Sequence, residues 1–283
     1  MRDDWRIDGD YYEHVTAGYN RLAPSYDADI GANRVGGRMR RVFRNALMRV
    51  FQPGQRVFEI GCGTGLDALW LARGGLQVVA TDVSDGMIAE VREKAAREGL
   101  EDRVTCHKLA ARDIGALADT FGAGTFDGGY CHAGALNMEP DLAQVPDGIR
   151  TLLHAGGHFV CSVINQTSLF ELVFYLAVLR PRKAFRRLGN TVPIPISRAA
   201  PFNRYVVPAR FYSPREVSKL FGRAFRCDGI QGMQIVLPPS NLASYYESLL
   251  PLFRPLDALE TRLAGIYPFN EWGHHTILTF ERL

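Results

Sequence analysis

The stretch Val57-Phe58-Glu59-Ile60-Gly61-Cys62-Gly63-Thr64-Gly65-Leu66 decides the fold. A short apolar run closes on three glycines at alternate positions. The apolar, helix-compatible segment Asp67-Ala68-Leu69-Trp70-Leu71-Ala72 follows at once. Strand, tight turn and helix in that order build a ligand crevice at the carboxyl end of a first parallel strand. Glycine suits the turn because the backbone must bend sharply and approach a ligand without an intervening Cβ. About twenty residues on, Val78-Val79-Ala80-Thr81-Asp82 ends a second apolar strand in a carboxylate, the group that grips the two hydroxyls of a ribose.

Working outward, further strands are expected near 103–108, 125–131 and 157–163, with helices near 66–74, 84–98 and 139–154. Ser84 ahead of Met87-Ile88 reads as an N-cap. Two helices, 11–26 and 38–51, precede the first strand. This alternation predicts an α/β fold with a mostly parallel sheet and helices on both faces. Gly61, Asp82 and Tyr130 would converge beyond the carboxyl ends of the strands. After Asn165 the rhythm breaks: an apolar segment, 169–179, runs into Arg180, Arg182, Lys183, Arg186 and Arg187 and then a proline-rich passage. Ser213-Pro214-Arg215-Glu216 reads as a capped helix start, followed by a strand near 230–237, a helix over 241–264 and a last strand over 275–281.

The 283 residues are 47% apolar and 22% charged, which suits one large soluble α/β domain. A net charge of +3 is too small to imply nucleic acid. Cys62, Cys106, Cys131, Cys161 and Cys227 form no C-x-x-C pair and no metal-like spacing. They favour a reducing, cytoplasmic setting, and the acidic N-terminus does not read as a secretory signal.

The glycine spacing is G-x-G-x-G, not the dinucleotide pattern G-x-G-x-x-G, and Glu59 stands two residues before the first glycine. This form resembles motif I of the class I S-adenosylmethionine (SAM) methyltransferases, with Asp82 at their ribose-binding acid. Thr125-Phe126-Asp127-Gly128-Gly129-Tyr130 through Gly134-Ala135-Leu136-Asn137 resembles a group of bacterial small-molecule enzymes of that family. Tyr19-Asn20-Arg21-Leu22-Ala23-Pro24-Ser25-Tyr26-Asp27 is similar to a segment of the quinone-methylating, UbiE-like members. The resemblance implies a Rossmann-like seven-stranded sheet with an antiparallel last strand, all in one domain. That domain would comprise a helical cap (1–52), a SAM-binding core (53–165), a lid insertion (166–215) and a closing segment (216–283).

It also implies SAM as co-substrate and no metal. The implied cofactor-binding residues are Tyr26, Glu59, Gly61, Cys62, Gly63, Thr64, Gly65, Asp82, Val83, Met87, Ala111, Asp113 and Tyr130. The family's acid after the third strand is missing from Leu109-Ala110-Ala111-Arg112, so Asp113 either substitutes for it or caps a helix. His132 is the general-base candidate on position, since histidine titrates near neutrality, or it packs beside the cofactor. Tyr19 walls the methyl donor or packs in the cap. His275 faces the acceptor pocket or is structural. His274 and His275, as adjacent strand residues, should point to opposite faces and not share an ion.

The expected activity is methyl transfer to a small or lipid-like molecule at oxygen, carbon or nitrogen. Rival readings are a nucleic-acid or protein methyltransferase, a non-catalytic SAM-binding protein and a NAD-dependent oxidoreductase. No nucleic-acid partner is expected, and the sequence is silent on oligomeric state. For 169–187 two readings stand: a lid helix buried on the sheet, or an interfacial segment whose bases meet lipid phosphates.

Overall fold

A computed structural model describes residues 11–31, 33–189, 191–196, 206–239, 242 and 250–283. Among the described residues nine strands run β1 (Arg56–Ile60), β2 (Gln77–Asp82), β3 (Val104–Lys108), β4 (Phe126–Cys131), β5 (Leu153–Ile164), β6 (Thr191–Pro195), β7 (Val206–Arg210), β8 (Phe225–Met233) and β9 (His275–Arg282). The helices are α1 (Tyr11–Gly31), α2 (Arg34–Leu47), α3 (Leu66–Arg73), α4 (Asp85–Glu98), α5 (Leu117–Phe121), α6 (Ala135–Met138), α7 (Val145–Leu152), α8 (Leu169–Ala177), α9 (Pro181–Ala184), α10 (Pro214–Phe221) and α11 (Leu250–Leu263).

The main sheet has seven strands in the order β3-β2-β1-β4-β5-β9-β8. Strands β1 to β5 pair in parallel, and β9 is antiparallel to both of its neighbours, β5 and β8. Order reverses between β1 and β4, so the crevice expected of such sheets opens beside the glycine turn. Strand alternation divides the core in two. Phe58, Phe126, Phe159 and Phe280 pack under α7 and α10. Val57, Tyr130 and Val160 pack with Phe43, Leu47 and Phe51 of the α2 region.

Several boundaries depart from the sequence reading. Helix α1 runs through Pro24 to Gly31. Helix α2 starts at Arg34 because Asn33 Oδ1 accepts the Gly36 N–H at 3.0 Å. The helix expected over 139–154 is broken by Pro140 and by Pro146, which sits in the first turn of α7. Strand β8 begins at Phe225, earlier than the run 230–237, and α11 begins at Leu250. Most of the first part of the helix expected over 241–264 lies outside the described residues. The insertion after β5 carries a hairpin, with β6 and β7 pairing antiparallel and Pro193 opposite Pro208.

Candidate functional site

The glycine turn does what its residue types require. Gly61 adopts φ +68°, and a Cβ there would stand 2.6 Å from Ala135 Cβ. Gly65, at φ +79°, N-caps α3 where a Cβ would come within 2.9 Å of Val91. Both positions exclude a side chain. Asp82 closes β2 and accepts the Gly63 N–H at 2.9 Å and the Ser84 N–H at 2.9 Å. Burial raises its carboxyl pKa, while these amides pull it back down. Helix α1 lies over the turn. Asn20 Oδ1 accepts from Ser84 Oγ at 2.6 Å and from the Gly86 N–H at 2.8 Å.

These elements enclose a cleft of about 790 Å³, including its mouth. Tyr19, Tyr26, Gly61, Gly63, Asp82, Val83, Met87, Ala111 and His132 line it. Backbone approach at Gly61 and Gly63 with a carboxylate at Asp82 fits the aminoacyl and ribose ends of an adenosyl ligand. Cys62, Thr64 and Gly65 lie behind this wall: Thr64 Oγ1 donates to Asp27 Oδ1 at 2.5 Å, and the Cys62 thiol, raised by burial, donates to Gly63 O.

Four of the expected positions lie off the cleft. Tyr130 does not converge with Gly61 and Asp82. Its strand position turns it into the α2-side core, where it donates to Glu59 Oε2 at 3.0 Å. Glu59 is likewise buried away from the cleft, and burial lifts its carboxyl well above the ordinary range. Asp113 is exposed, its carboxylate 3.6 Å from Arg112 Nε, and does not reach the cleft, where Leu109 and Ala111 stand. His275 is buried off the cleft wall. His274 precedes β9, so the two rings converge, with Nδ1 atoms 2.9 Å apart, and do not point oppositely.

Other wall residues carried no sequence signal. Tyr11 and Tyr12, at the start of α1, reach the segment after β4; Tyr11 donates to Met138 O and Tyr12 to Glu139 Oε1 at 2.7 Å. Ala133 holds φ +56°, a strained conformation for a residue with a Cβ, beside His132. A second cavity shares Tyr19, Tyr26, Ala133 and Met138 with the first and continues to Ile164, Ile194, Pro195, Ile196 and Val207.

Away from the cleft, His158, Asp228 and Glu281 bring donor atoms within 4.8 Å of one another. Arg226 already pairs with both of these carboxylates, at 2.6 Å from Asp228.

Residues 57–157 match the family described as "Methyltransferase domain". A demethylmenaquinone methyltransferase of Symbiobacterium thermophilum is 28% identical over 156 residues, 53% of this chain and 58% of that protein. A ubiquinone biosynthesis O-methyltransferase of Xanthomonas axonopodis is 30% identical over 139 residues, 47% of this chain and 55% of that protein. The chain thus spans a little over half the length of these curated relatives. Among solved structures, the [4+2]-cyclase SpnF superposes with a TM-score of 0.63 at 17% identity, covering 96% of each chain. Geranyl diphosphate C-methyltransferase from Streptomyces coelicolor gives 0.60 at 14%, covering 98% of this chain and 99% of its own. Residues 57–157 carry the match to the methyltransferase-domain family, and the seven-stranded sheet around them shares the fold of these solved structures.

Proposed function

We propose that this protein transfers the methyl group of SAM to a small, uncharged, lipid-like acceptor. The observation that carries the reading is the pair of cavities sharing Tyr19, Tyr26, Ala133 and Met138. One holds the glycine turn and Asp82. The other, among the described residues, is lined by no charged side chain. Bound SAM supplies an activated methyl on a sulfonium; the chain's part is to bind, orient and exclude water. Gly61, Gly63 and Asp82 hold the donor, Val83, Met87 and Ala111 wall its base, and Tyr19 and Tyr26 separate donor from acceptor. A diphosphate acceptor of the kind the Streptomyces enzyme is named for calls for cationic partners, which this described lining lacks. Quinone-type acceptors, as in the names of the curated relatives, suit it better.

Calorimetry with S-adenosylhomocysteine and NAD tests the donor site: binding of the first alone is expected, and binding of NAD alone ends the reading. Release of S-adenosylhomocysteine over a panel of hydroxyquinones, phenols and prenyl diphosphates then tests turnover. Turnover confined to the diphosphates would contradict the acceptor class. The same assay separates methyl transfer from the use of this fold in the [4+2]-cyclase SpnF.

A specific observation favours access from a lipid surface. Val173, Leu176, Val178, Leu179 and Phe185 are exposed, Leu179 at 88%. Arg180, Arg182 and Lys183 beside them are exposed too. Between Glu171 and Glu216 the chain has nine Lys or Arg and no Asp or Glu. An apolar tip within an acid-free basic stretch complements an anionic bilayer. Glu171 is buried and pairs with Arg187 at 2.7 Å, so α8 is anchored on one side and apolar on the other. No described helix is long and apolar enough to cross a membrane. Flotation with phosphatidylglycerol vesicles but not phosphatidylcholine is expected; no flotation with either refutes the surface reading.

A further inference from the structure

His132 follows the last residue of β4 and forms part of the donor cleft wall, with only 5% of its surface exposed. Its ring stacks on Phe43, centroids 4.1 Å apart and planes 8° apart. Nδ1 lies 2.8 Å from Asp67 Oδ2, and Nε2 is buried with no hydrogen-bond partner. An orphaned ring nitrogen in a cleft wall is unusual, since buried polar atoms are nearly always satisfied. The adjoining Ala133 holds its strained backbone, and its N–H donates to Ser162 Oγ at 2.9 Å.

Asp67 sits in the first turn of α3, directly after the glycine turn, and is 1% exposed. Arg44 Nε donates to its Oδ1 at 2.8 Å, and Arg40 donates to Oδ2. Two guanidinium groups and the histidine hold this carboxyl well below the usual carboxylate range, against the effect of burial. An ionised Asp67 can only accept, so the proton between the two side chains sits on Nδ1 and Nε2 keeps its lone pair. Burial, with the positive field of Arg40 and Arg44, opposes a second proton on the resting ring; Asp67 works the other way. His275 also senses the His132 ring and is lowered by burial, while Glu59, Tyr130 and Tyr26 lie within the field of Asp67.

We propose that Asp67 is a positioning residue that fixes His132 in the Nδ1–H tautomer, so that Nε2 takes the proton of the acceptor. The acceptor is then one whose methylated atom carries an exchangeable hydrogen, an O–H or N–H. This deepens the donor-site reading and rests on it. In the step, the acceptor's O–H or N–H bond breaks and its proton moves to Nε2. The freed electron pair forms the bond to the methyl carbon, and the carbon–sulfur bond breaks with its pair left on sulfur. The resulting imidazolium is balanced by Asp67 and returns its proton to solvent. Asp67 is thus chemically distinct from a mere tie between α2 and α3, although it makes that tie as well.

Long-range proton–nitrogen correlation spectra of the ¹⁵N-histidine-labelled full chain decide it. Saturation with S-adenosylhomocysteine is confirmed separately by calorimetry. At pH 7 the expected pattern for His132 is a protonated Nδ1 and an unprotonated Nε2. In Asp67→Asn the side-chain amide donates to Nδ1, and the pattern moves to protonated Nε2. A wild-type ring that is protonated at Nε2, alone or as imidazolium, overturns the proposal, as does a D67N variant that folds and keeps the wild-type tautomer. Should D67N fail to fold, the wild-type spectrum still decides. Absence of S-adenosylhomocysteine binding would instead sink the donor-site reading, which the tautomer measurement does not touch.

Discussion

Asp27, near the end of α1, accepts a hydrogen bond from Thr64 Oγ1 at 2.5 Å, which ties the covering helix to the glycine turn. Lys94 of α4 completes the latch, 2.5 Å from Asp27 Oδ2 and 3.0 Å from Thr64 O. The Asp27 side chain is 40% exposed, so its ion pair is partly screened and contributes modestly. Asp27→Ala is expected to weaken S-adenosylhomocysteine binding about 3- to 10-fold, from the loss of roughly 1 kcal/mol of hydrogen bonding. Hydrogen exchange in α1 should quicken in parallel. Unchanged exchange there would show that the latch does not hold the helix.

Asp82 is tied to both the turn and the start of α4, and its residue lines the cleft. Asp82→Asn keeps the shape, removes the charge and turns one acceptor into a donor facing the Gly63 or Ser84 amide. Hydrogen bonds to charged groups contribute about 1.5–3 kcal/mol each. A drop in S-adenosylhomocysteine affinity of roughly 10- to 100-fold is expected by calorimetry, with little change in the fold's circular dichroism.

Gly61→Ala meets two separate penalties, a φ of +68° and a contact at 2.6 Å with Ala135 Cβ. Together they should cost about 1–3 kcal/mol in denaturant titrations. Adding Ala135→Gly removes the overlap but not the backbone strain, so the double variant should recover part of the loss. Full recovery would mean that the left-handed conformation costs nothing there.

His275 supplies a pH dependence. Its ordinary pKa of 6.5 is lowered by burial to about 3 in the folded chain. Between those values the unfolded chain binds the extra proton, so this group leaves stability intact above 6.5 and erodes it as pH falls toward 3. The slope approaches 1.4 kcal/mol per pH unit, or about 2 kcal/mol between pH 6.5 and 5. His275→Gln should flatten the measured stability profile by about that amount across this interval. An unaltered profile would refute a neutral buried His275.

The parts of the site legible in sequence are those built from a few consecutive residues. The glycine turn at 61–65 and Asp82 at a strand end obey local geometry, and both line or shape the cleft. Helix α4 starts at its cap for the same reason, with Ser84 Oγ accepting from the Met87 N–H at 3.1 Å. What sequence did not disclose depends on contacts between distant segments. Glu139 meets Tyr12 across 127 positions, and Asp67 meets His132 across 65. Tyr130 was misplaced because a period of two gives alternation but not which face belongs to the cleft. The two rings of His274 and His275 converge because only His275 lies on the strand, while His274 sits in the bend before it.

Tyr19 and Tyr26 belong to the walls of both cavities, so neither chamber is filled without the other being felt. The two ligands' affinities are thereby thermodynamically linked. Whatever factor S-adenosylhomocysteine imposes on acceptor affinity, the acceptor must impose on S-adenosylhomocysteine, and one helix sets the sign for both.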